Sequence, residues 1–328
     1  MRISGPSPDY LGPTWQARTI FLEENDGGAP PGRPDVAVLV HESDAAALVA
    51  RSGTAALYLP GFQDSFFHLE QATAWRAIDV PLVGLDFRRS GRALRSERSR
   101  DDIRDLYVRE EEIGAAIGYL RASLGARRII LIGHSTGGLQ AALWAGDHPG
   151  SVDAVILNAP WLEHNGPSVE KGLLTRFVDR VGLRFPRLRI STLKPDYAQN
   201  LHTDFGGEWD FNPLHKPVSK VPVYAGFWRT VRRAHNRVAS GGVRIREPLL
   251  LAHSKRSGSF RHPTAEQLLS TDCVLNVEDM KRLALVLSPD ATLLEIPGGR
   301  HDLALSERHA RDVYTRESIS WAVRKLGL

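Results

Sequence analysis

Short apolar runs alternate with amphipathic stretches along most of the chain. Apolar runs of strand length stand at residues 17–22, 36–40, 55–59, 80–85, 128–132, 152–157, 248–252 and 292–296. Helix-like patterns stand at residues 65–78, 101–124, 139–145, 277–287 and 306–326. This alternation predicts an α/β protein in which a mainly parallel central sheet is flanked by helices on both faces.

The rhythm breaks between residues 161 and 247, where we find no clear strand. Two amphipathic stripes predict helices there, one made of Leu173, Leu174, Phe177, Val178 and Val181, the other of Tyr224, Phe227, Trp228 and Val231. Because the alternating pattern resumes afterwards, we interpret this stretch as a helical cap inserted into a single domain. The predicted division is a first part of the core over residues 1–160, the cap over 161–247 and a second part of the core over 248–328.

The charge balance is mildly basic, with 42 Lys and Arg residues against 38 Asp and Glu residues. The basic residues are mostly arginines and are scattered along the sequence, apart from the pair at 88–89 and the run at 229–233. No zinc-finger spacing, RNA-binding signature or lysine-rich tail accompanies them. The sequence therefore argues against a nucleic-acid partner.

The expected compartment is the cytoplasm. No apolar run reaches the roughly eighteen residues that a membrane-spanning helix needs, and the N-terminal residues lack the apolar segment of a secretory signal. The single cysteine, Cys273, has no partner for an internal disulfide, which agrees with a reducing compartment.

Candidate chemistry centres on residues 133–137, which read GHSTG and fit the pattern G-x-S-x-G. An apolar strand precedes the motif and a run of good helix formers follows it, which is the context that a nucleophile elbow requires. Its glycines let the strand turn sharply into the helix and leave the serine exposed on the turn. We therefore predict that Ser135 is a nucleophile. His134 should point away from Ser135, so we assign it a structural or pocket-lining role.

A second loop follows the strand at 55–59 and reads PGFQD at residues 60–64. Acyl transfer needs backbone N–H groups near the nucleophile to stabilise the developing oxyanion. A loop after an early strand supplies one of them, and the residue after the nucleophile supplies the other. We expect these oxyanion donors to be the backbone N–H groups of Phe62 and Thr136.

Four segments together resemble the α/β-hydrolase family, and specifically its monoacylglycerol lipase or serine aminopeptidase-like branch. They are LPGF at 59–62, LDFRRSGR at 85–92, GHSTGG at 133–138 and PGGRHD at 297–302. The resemblance covers about residues 50–160 and 245–328 and implies the α/β-hydrolase fold. Pro60 departs from the family pattern, which has a histidine at that position.

The resemblance also implies the partners of the nucleophile. It makes His301 the catalytic base and points to Asp272, in TDCVLNVE at 271–278, as the acid that orients this base. The family's acid usually follows its strand directly, but Lys255 fills that position here. The alternatives for the acid are Glu266 and Asp279. The chain order of serine, acid and histidine is that of the α/β-hydrolases.

Aromatic residues are abundant in and around the predicted cap. Those that we expect to line a substrate pocket, together with His134, are Trp161, Phe205, Trp209 and Trp228. The implied function is a serine hydrolase of carboxylic esters with an apolar acyl group, such as a monoacylglycerol, a lysophospholipid or a small ester. The sequence contains no metal-ligand cluster, dinucleotide fingerprint or P-loop, so we expect no metal and no cofactor.

Two other functions fit the same residues. One is an aminopeptidase or amidase that uses the same three side chains. Acids that would then hold a free amino group are Glu163, Glu170, Glu208 and Asp210. The other is a catalytically inactive α/β-hydrolase that serves as a ligand-binding or partner-binding module.

Overall fold

The computed structural model describes residues 2–28, 34–165 and 179–328. Their strands are β1 (Arg2–Ile3), β2 (Ser7–Asp9), β3 (Gly12–Phe21), β4 (Val36–Glu42), β5 (Thr54–Leu59), β6 (Leu82–Asp86), β7 (Arg128–His134), β8 (Ala154–Asn158), β9 (Arg189–Leu193), β10 (Val221–Tyr224), β11 (Leu249–Ser254) and β12 (Thr292–Ile296). Their helices include α1 (Ala45–Ser52), α2 (Leu69–Arg76), α3 (Glu110–Ala122), α4 (Thr136–Asp147), α5 (Asp196–Leu201), α6 (Ala225–Ala239), α7 (Ala265–Ser270), α8 (Val277–Leu287) and α9 (Arg308–Leu326).

Ten of these strands form one sheet in the order β1-β3-β4-β6-β5-β7-β8-β11-β12, with β2 also paired to β3. The strands from β6 to β12 in this order run parallel, whereas β4 pairs antiparallel with β6. The predicted mainly parallel sheet is therefore confirmed. Because parallel strands share one direction, their carboxyl ends lie along one edge of the sheet, which is where ligands bind in open α/β folds.

The central strands are apolar on both faces because helices cover both. In β7, Ile129 and Leu131 belong to the apolar cluster that also contains residues of α3 and α4. Ile130 and Ile132 point to the opposite cluster, which contains Trp75 of α2 and Trp321 of α9. Alternate residues thus enter two different cores, and neither face of the strand needs polar side chains.

The bounds of the predicted elements differed in accuracy along the chain. The predictions at 277–287 and 292–296 agree with α8 and β12, and the Asn276 side chain caps α8 by accepting from the N–H of Glu278. The predictions at 65–78 and 101–124 were too long, since α2 and α3 start later. Before α2, the N–H of Phe66 donates to the Asp86 carboxylate, which holds this backbone out of the helix. Before α3, Asp101 has a φ of 44°, which a helix cannot contain.

Residues 161–247 connect the neighbouring strands β8 and β11 and add elements outside the main sheet. The expectation that this insertion has no strand was wrong, because β9 and β10 pair antiparallel within it. Residues 189–191 of β9 are all exposed, and β10 has only four residues including a proline, so neither strand shows a buried alternating pattern. Of the two predicted stripes, Phe227 and Val231 are buried on α6. In the other stripe, residues 173, 174, 177 and 178 lie outside the described residues.

Within the described part of the chain, no helix is both long enough and apolar enough to span a bilayer.

Candidate active site

The predicted nucleophile lies at the sharp turn between β7 and α4. The backbone of Ser135 has φ 51° and ψ −115°, a positive-φ conformation that is costly for any residue except glycine. A Cβ at Gly137 would lie 2.1 Å from the carbonyl oxygen of Leu59, and one at Gly133 would lie 2.4 Å from that of Gly137. Only glycine fits at these two positions, so the motif spacing is required for the close approach of β5, β7 and α4.

Two side chains from distant parts of the sequence converge on Ser135. His301 follows β12, and its Nε2 lies 3.0 Å from Oγ of Ser135. Its other ring nitrogen, Nδ1, lies 3.0 Å from Oδ2 of Asp272, in the loop between α7 and α8. Ser135, His301 and Asp272 are 9%, 4% and 0% exposed, so the hydroxyl end of this chain of contacts lies nearest to solvent.

The loop of Asp272 holds its carboxylate in place. Oδ1 accepts hydrogen bonds from the backbone N–H groups of Val274 and Leu275, both at 2.8 Å. This leaves Oδ2 for His301. Each carboxylate oxygen therefore has its own partner, and the acid has little freedom to rotate away from the imidazole.

The two alternative acids lie elsewhere. Glu266 is exposed in the first turn of α7. Asp279 lies in the first turn of α8, where Oδ1 accepts a hydrogen bond from Arg282 at 2.9 Å. Of the three acids considered from the sequence, the structure places Asp272 against His301.

The loop after β5 lies directly against the turn that carries the serine. A Cβ at Gly61 would lie 3.3 Å from the Cβ of Ser135, so the backbone at residues 61–62 borders the hydroxyl. Among the described residues, the N–H groups of Phe62 and Thr136 have no hydrogen-bond acceptor. For Thr136 this is expected, because the first N–H groups of a helix have no partner within the helix. Both N–H groups are therefore available to an oxyanion.

Aromatic rings form a wall beside this loop. The ring of Phe62 stacks on that of Phe227, with centroids 4.5 Å apart. Trp161 contacts Phe227 and Trp228, with centroids 6.4 Å and 5.7 Å apart. The backbone N–H of Trp161 also donates to the backbone carbonyl oxygen of Ser135 at 2.9 Å. This aromatic wall joins the turn and the loop to α6 of the insertion.

Two other residues predicted for the pocket lie in different surroundings. The ring of Phe205 is 52% exposed and contacts His202. The indole N–H of Trp209 donates to the carbonyl oxygen of Leu305 at 3.1 Å, and its ring packs against a separate apolar cluster. The structure thus places neither residue in the aromatic wall.

A second buried polar network lies beside the imidazole of His301. The ring of His134 stands 4.8 Å from that of His301, measured between centroids. Asp302 accepts hydrogen bonds from Nε2 of His68 at 3.0 Å and from Nδ2 of Asn158 at 2.8 Å. Sequence reasoning did not identify this network. The one signal in the sequence that pointed to this network is Asp302, which directly follows His301 in the PGGRHD segment.

A buried ion pair joins the insertion to the loop that carries Phe62. Nζ of Lys216 lies 2.8 Å from Oδ1 of Asp64, and both residues are almost fully buried. The ammonium group also lies 5.7 Å from the centroid of the Phe67 ring. Nothing in the local sequence marks Lys216, because its partner lies far earlier in the chain.

Three buried residues near this ion pair offer possible metal ligands. Asp64, His134 and Asp302 each place one ligand atom within 4.8 Å of the others. The ammonium group of Lys216 already supplies a positive charge at Asp64, and Asp302 already accepts two side-chain hydrogen bonds. We therefore assign no metal to these residues.

Replacing Lys216 with methionine should lower the free energy of unfolding by about 3 kcal/mol, because it leaves the carboxylate of Asp64 buried without its partner. Methionine keeps an apolar chain of similar length beside Phe67, so the loss reports mainly on the charge. Urea unfolding measures it. The control Lys281→Met breaks ion pairs with Glu278 and Glu295 at the surface, where we expect a change below about 1 kcal/mol. Equal effects of the two substitutions would show that the buried pair contributes no more than a surface pair.

Burial makes His134 difficult to protonate. It lowers the pKa of His134 to about 4, and the carboxylate of Asp302, 3.9 Å from Nε2, offsets this only in part. His301, Asp64 and Lys216 also act on the same ring. In an unfolded chain the imidazole has its ordinary pKa of 6.5. Between about pH 6.5 and about pH 4 the unfolded state therefore binds more protons than the folded state.

The free energy of unfolding should consequently fall as the pH falls through this window, by up to about 3 kcal/mol from His134 alone. His134→Gln removes the titrating group, so we expect a flatter dependence of stability on pH. Urea unfolding at several pH values checks this. His309→Gln, at an exposed position on α9, is the matched control and should leave the slope unchanged. An unchanged slope in His134→Gln would contradict the prediction.

The parallel sheet, the sharp turn at the serine and the elements around it define an α/β-hydrolase fold. The sequence profile of the family described as "Serine aminopeptidase, S33" matches residues 65–308, which is most of the chain, and the protein belongs to this family. The family resemblance drawn from the sequence is therefore confirmed. A comparison with curated proteins found no match.

Solved structures with a similar fold include lipases and esterases. A monoacylglycerol lipase of Paleococcus ferrophilus aligns with a TM-score of 0.59 and 17% identity over 83% of this chain and 94% of that chain. A soluble variant of the monoglyceride lipase of Saccharomyces cerevisiae, in complex with a substrate analog, aligns with a TM-score of 0.66 and 12% identity over 98% and 100%. Est1E of Butyrivibrio proteoclasticus, with ferulic acid bound, aligns with a TM-score of 0.54 and 16% identity over 96% of this chain and 97% of that chain.

Proposed function

We propose that the protein is a serine hydrolase that cleaves carboxylic esters with an apolar acyl group through an acyl-enzyme on Ser135. The observation that carries this proposal is the chain of contacts from Ser135 to His301 to Asp272, with both distances 3.0 Å. A serine hydroxyl is a weak nucleophile at neutral pH. It needs a base within hydrogen-bond distance and a third group that holds this base in one tautomer.

In the proposed acylation, Nε2 of His301 accepts the hydroxyl proton as Oγ of Ser135 attacks the ester carbonyl carbon. The carbonyl oxygen becomes an oxyanion that accepts hydrogen bonds from the N–H groups of Phe62 and Thr136. Each donor of this kind typically lowers the barrier by about 3 kcal/mol. The imidazolium, stabilised by the carboxylate of Asp272, then donates its proton to the leaving alcohol oxygen, and the acyl group remains on Oγ.

Deacylation repeats these steps with water in place of the serine. Nε2 of His301 accepts a proton from the water whose oxygen attacks the acyl carbonyl carbon. Nε2 then donates this proton to Oγ of Ser135 as the bond between Oγ and the acyl carbon breaks. The products are a carboxylic acid and an alcohol, and the three side chains are back in their starting protonation states.

The aromatic wall supports an apolar acyl group. Phe62 carries one of the two proposed oxyanion donors on its backbone, while its ring stacks on Phe227. An acyl chain that leaves the carbonyl group on this side would contact the rings of Trp161 and Trp228. The solved monoacylglycerol lipases with the same fold agree with such a substrate.

The aminopeptidase alternative requires an unpaired acid to bind the amino group of the substrate. Glu163 forms an ion pair with Arg232, and Glu208 forms one with Arg311. The remaining two acids considered from the sequence are Asp210, which is exposed, and Glu170, which lies outside the described residues. Because two of the acids already have arginine partners, ester cleavage is the better-supported reaction.

Comparing kcat/KM for p-nitrophenyl esters of increasing acyl length with kcat/KM for aminoacyl p-nitroanilides tests this proposal. We expect the esters to react faster and kcat/KM to rise with chain length, because each buried methylene contributes about 0.8 kcal/mol. Faster cleavage of the anilides would favour the aminopeptidase. No turnover, together with no labelling by a fluorophosphonate, would favour the inactive binding module.

A further inference from the structure

Two segments that carry basic residues and no acidic ones contribute to one surface of the protein. Residues 180–195 contain five Lys or Arg residues, residues 255–265 contain three, and neither contains Asp or Glu. Residues 211–246 also carry eight Lys or Arg residues and no Asp or Glu, but Lys216 and Arg232 of that stretch are buried in ion pairs. We call the two segments together the basic face. The sequence-based view of scattered basic residues was incomplete, because the two segments are separated by about sixty residues in the chain.

The basic face also exposes large apolar side chains. Within residues 183–190, only Pro186 is half-buried and the other seven are exposed. Leu183, Phe185 and Leu188 are 69%, 56% and 49% exposed. Apolar and arginine side chains alternate along this stretch, which reads LRFPRLRI. A surface in contact with water alone gains nothing from so many exposed apolar groups, and such patches commonly mark interaction sites.

The two segments meet in space. Nζ of Lys194, the residue after β9, donates to the carbonyl oxygen of Arg261 at 2.9 Å. The second segment adds another exposed ring, because Phe260 next to this contact is 53% exposed. The basic face is therefore a continuous feature of the folded chain.

A shallow depression of about 690 Å³ lies between the basic face and Arg104. Its lining residues from the basic face are Arg184, Phe185, Pro186, Arg187 and Leu188. Asp102 pairs with Arg104 at 3.2 Å and lies 3.6 Å from Arg187, so these two guanidinium groups are partly neutralised. The guanidinium group of Arg184 lies 5.1 Å from the centroid of the Phe185 ring, and no carboxylate among the described residues forms an ion pair with it. Its charge remains available to an anion.

We propose that the basic face docks the protein on the surface of an anionic lipid bilayer. Each Lys or Arg near such a surface is attracted by the negative headgroups, and exposed Leu and Phe side chains enter the boundary between headgroups and acyl chains. The arginines that alternate with them then lie at the level of the phosphates. A nucleic acid would satisfy the charges but would offer no apolar phase to Leu183, Leu188 or Ile190, which favours the lipid surface.

This docking does not depend on the proposed function. The binding experiment therefore uses the Ser135→Ala protein, so that turnover cannot affect it. Vesicles of phosphatidylcholine alone are compared with vesicles containing about one third phosphatidylglycerol, by co-sedimentation. We expect binding to the anionic vesicles that exceeds binding to the neutral ones by at least about 100-fold and weakens as added salt screens the charges.

Variants locate the surface. We expect the double substitution Arg184→Glu/Arg189→Glu to weaken binding to anionic vesicles by about 30-fold or more. The double substitution Phe185→Ser/Leu188→Ser should weaken this binding by about 10-fold. The matched control for charge is Arg308→Glu/Arg316→Glu on α9, and the matched control for apolar groups is Leu285→Ser/Leu293→Ser. Each of these positions is exposed. Hydrolysis of a short water-soluble ester by the same pairs in the wild-type background should be unchanged.

Three results would overturn the proposal. Equal binding to neutral and anionic vesicles would remove the electrostatic basis. An equal loss in Arg308→Glu/Arg316→Glu would show that net charge matters rather than this surface. Absence of vesicle binding, with or without binding to a DNA or RNA duplex in fluorescence anisotropy, would exclude the lipid surface as the partner. None of these results bears on the proposed esterase activity, which the soluble ester reports separately.

Discussion

Replacing Ser135 with alanine should reduce kcat for ester hydrolysis by about a million-fold, to the rate that binding and the oxyanion donors alone support. The reason is that no other group replaces the hydroxyl as nucleophile 3.0 Å from Nε2 of His301. Alanine can adopt the same backbone, so we expect the free energy of unfolding to change by less than about 1 kcal/mol. Steady-state kinetics and fluorophosphonate labelling measure the loss.

A second substitution at the same position separates chemistry from stability. Ser135 has a φ of 51°, where glycine is not penalised. We expect Ser135→Gly to be as inactive as Ser135→Ala. Its free energy of unfolding should exceed that of Ser135→Ala by about 1 kcal/mol, because glycine removes the strain of the turn. Ser123→Ala, at an exposed position after α3, is the control and should keep full activity. Substantial activity in Ser135→Ala would mean that the nucleophile lies elsewhere.

The turn around Ser135 was predictable because all its causes are local. The strand, the glycine spacing and the helix formers lie within about twenty residues, and the close contacts at Gly133 and Gly137 follow directly from that spacing. Steric exclusion acts over a few residues in sequence, so a short motif suffices to indicate it.

The partners of the serine required information beyond the local pattern. Three acids remained open for the role of orienting His301, and the choice of Asp272 came from a family resemblance rather than from physical reasoning. The structure brings Asp272 and His301 together because the loop N–H groups of Val274 and Leu275 fix the carboxylate. Such contacts depend on the fold of a loop that no propensity or periodicity describes.

Pairs that join distant segments were missed for the same reason. The ion pair between Lys216 and Asp64 and the hydrogen bond from His68 to Asp302 each connect parts of the chain that only the fold brings together. The basic face has a similar origin, since two basic segments become neighbours through the contact of Lys194 with Arg261. A count of charges over the whole chain does not reveal such a face, because it ignores where the charged residues lie in the fold.

Replacing Asp272 with asparagine should reduce kcat by about ten-thousand-fold while leaving the positions of the side chains nearly unchanged. In the wild type, Oδ1 accepts from the N–H groups of Val274 and Leu275, and Oδ2 faces Nδ1 of His301. An asparagine retains its oxygen on the two N–H groups, so its NH₂ group must point at Nδ1. Nδ1 can then only accept, which places the imidazole proton on Nε2, where it faces Oγ of Ser135. In this tautomer His301 cannot take the proton of the nucleophile.

This reasoning distinguishes Asp272 from the other acids that the sequence left open. Glu266→Gln and Asp279→Asn alter an exposed acid and an acid paired with Arg282, so both should retain activity within about two-fold. Thermal unfolding of Asp272→Asn completes the test. If the carboxylate only held the loop in place, the substitution would lower the stability of the protein as well as its activity. A stable but inactive Asp272→Asn assigns the loss to the tautomer of His301. A fall in kcat of less than about ten-fold would instead show that the imidazole is oriented without this carboxylate.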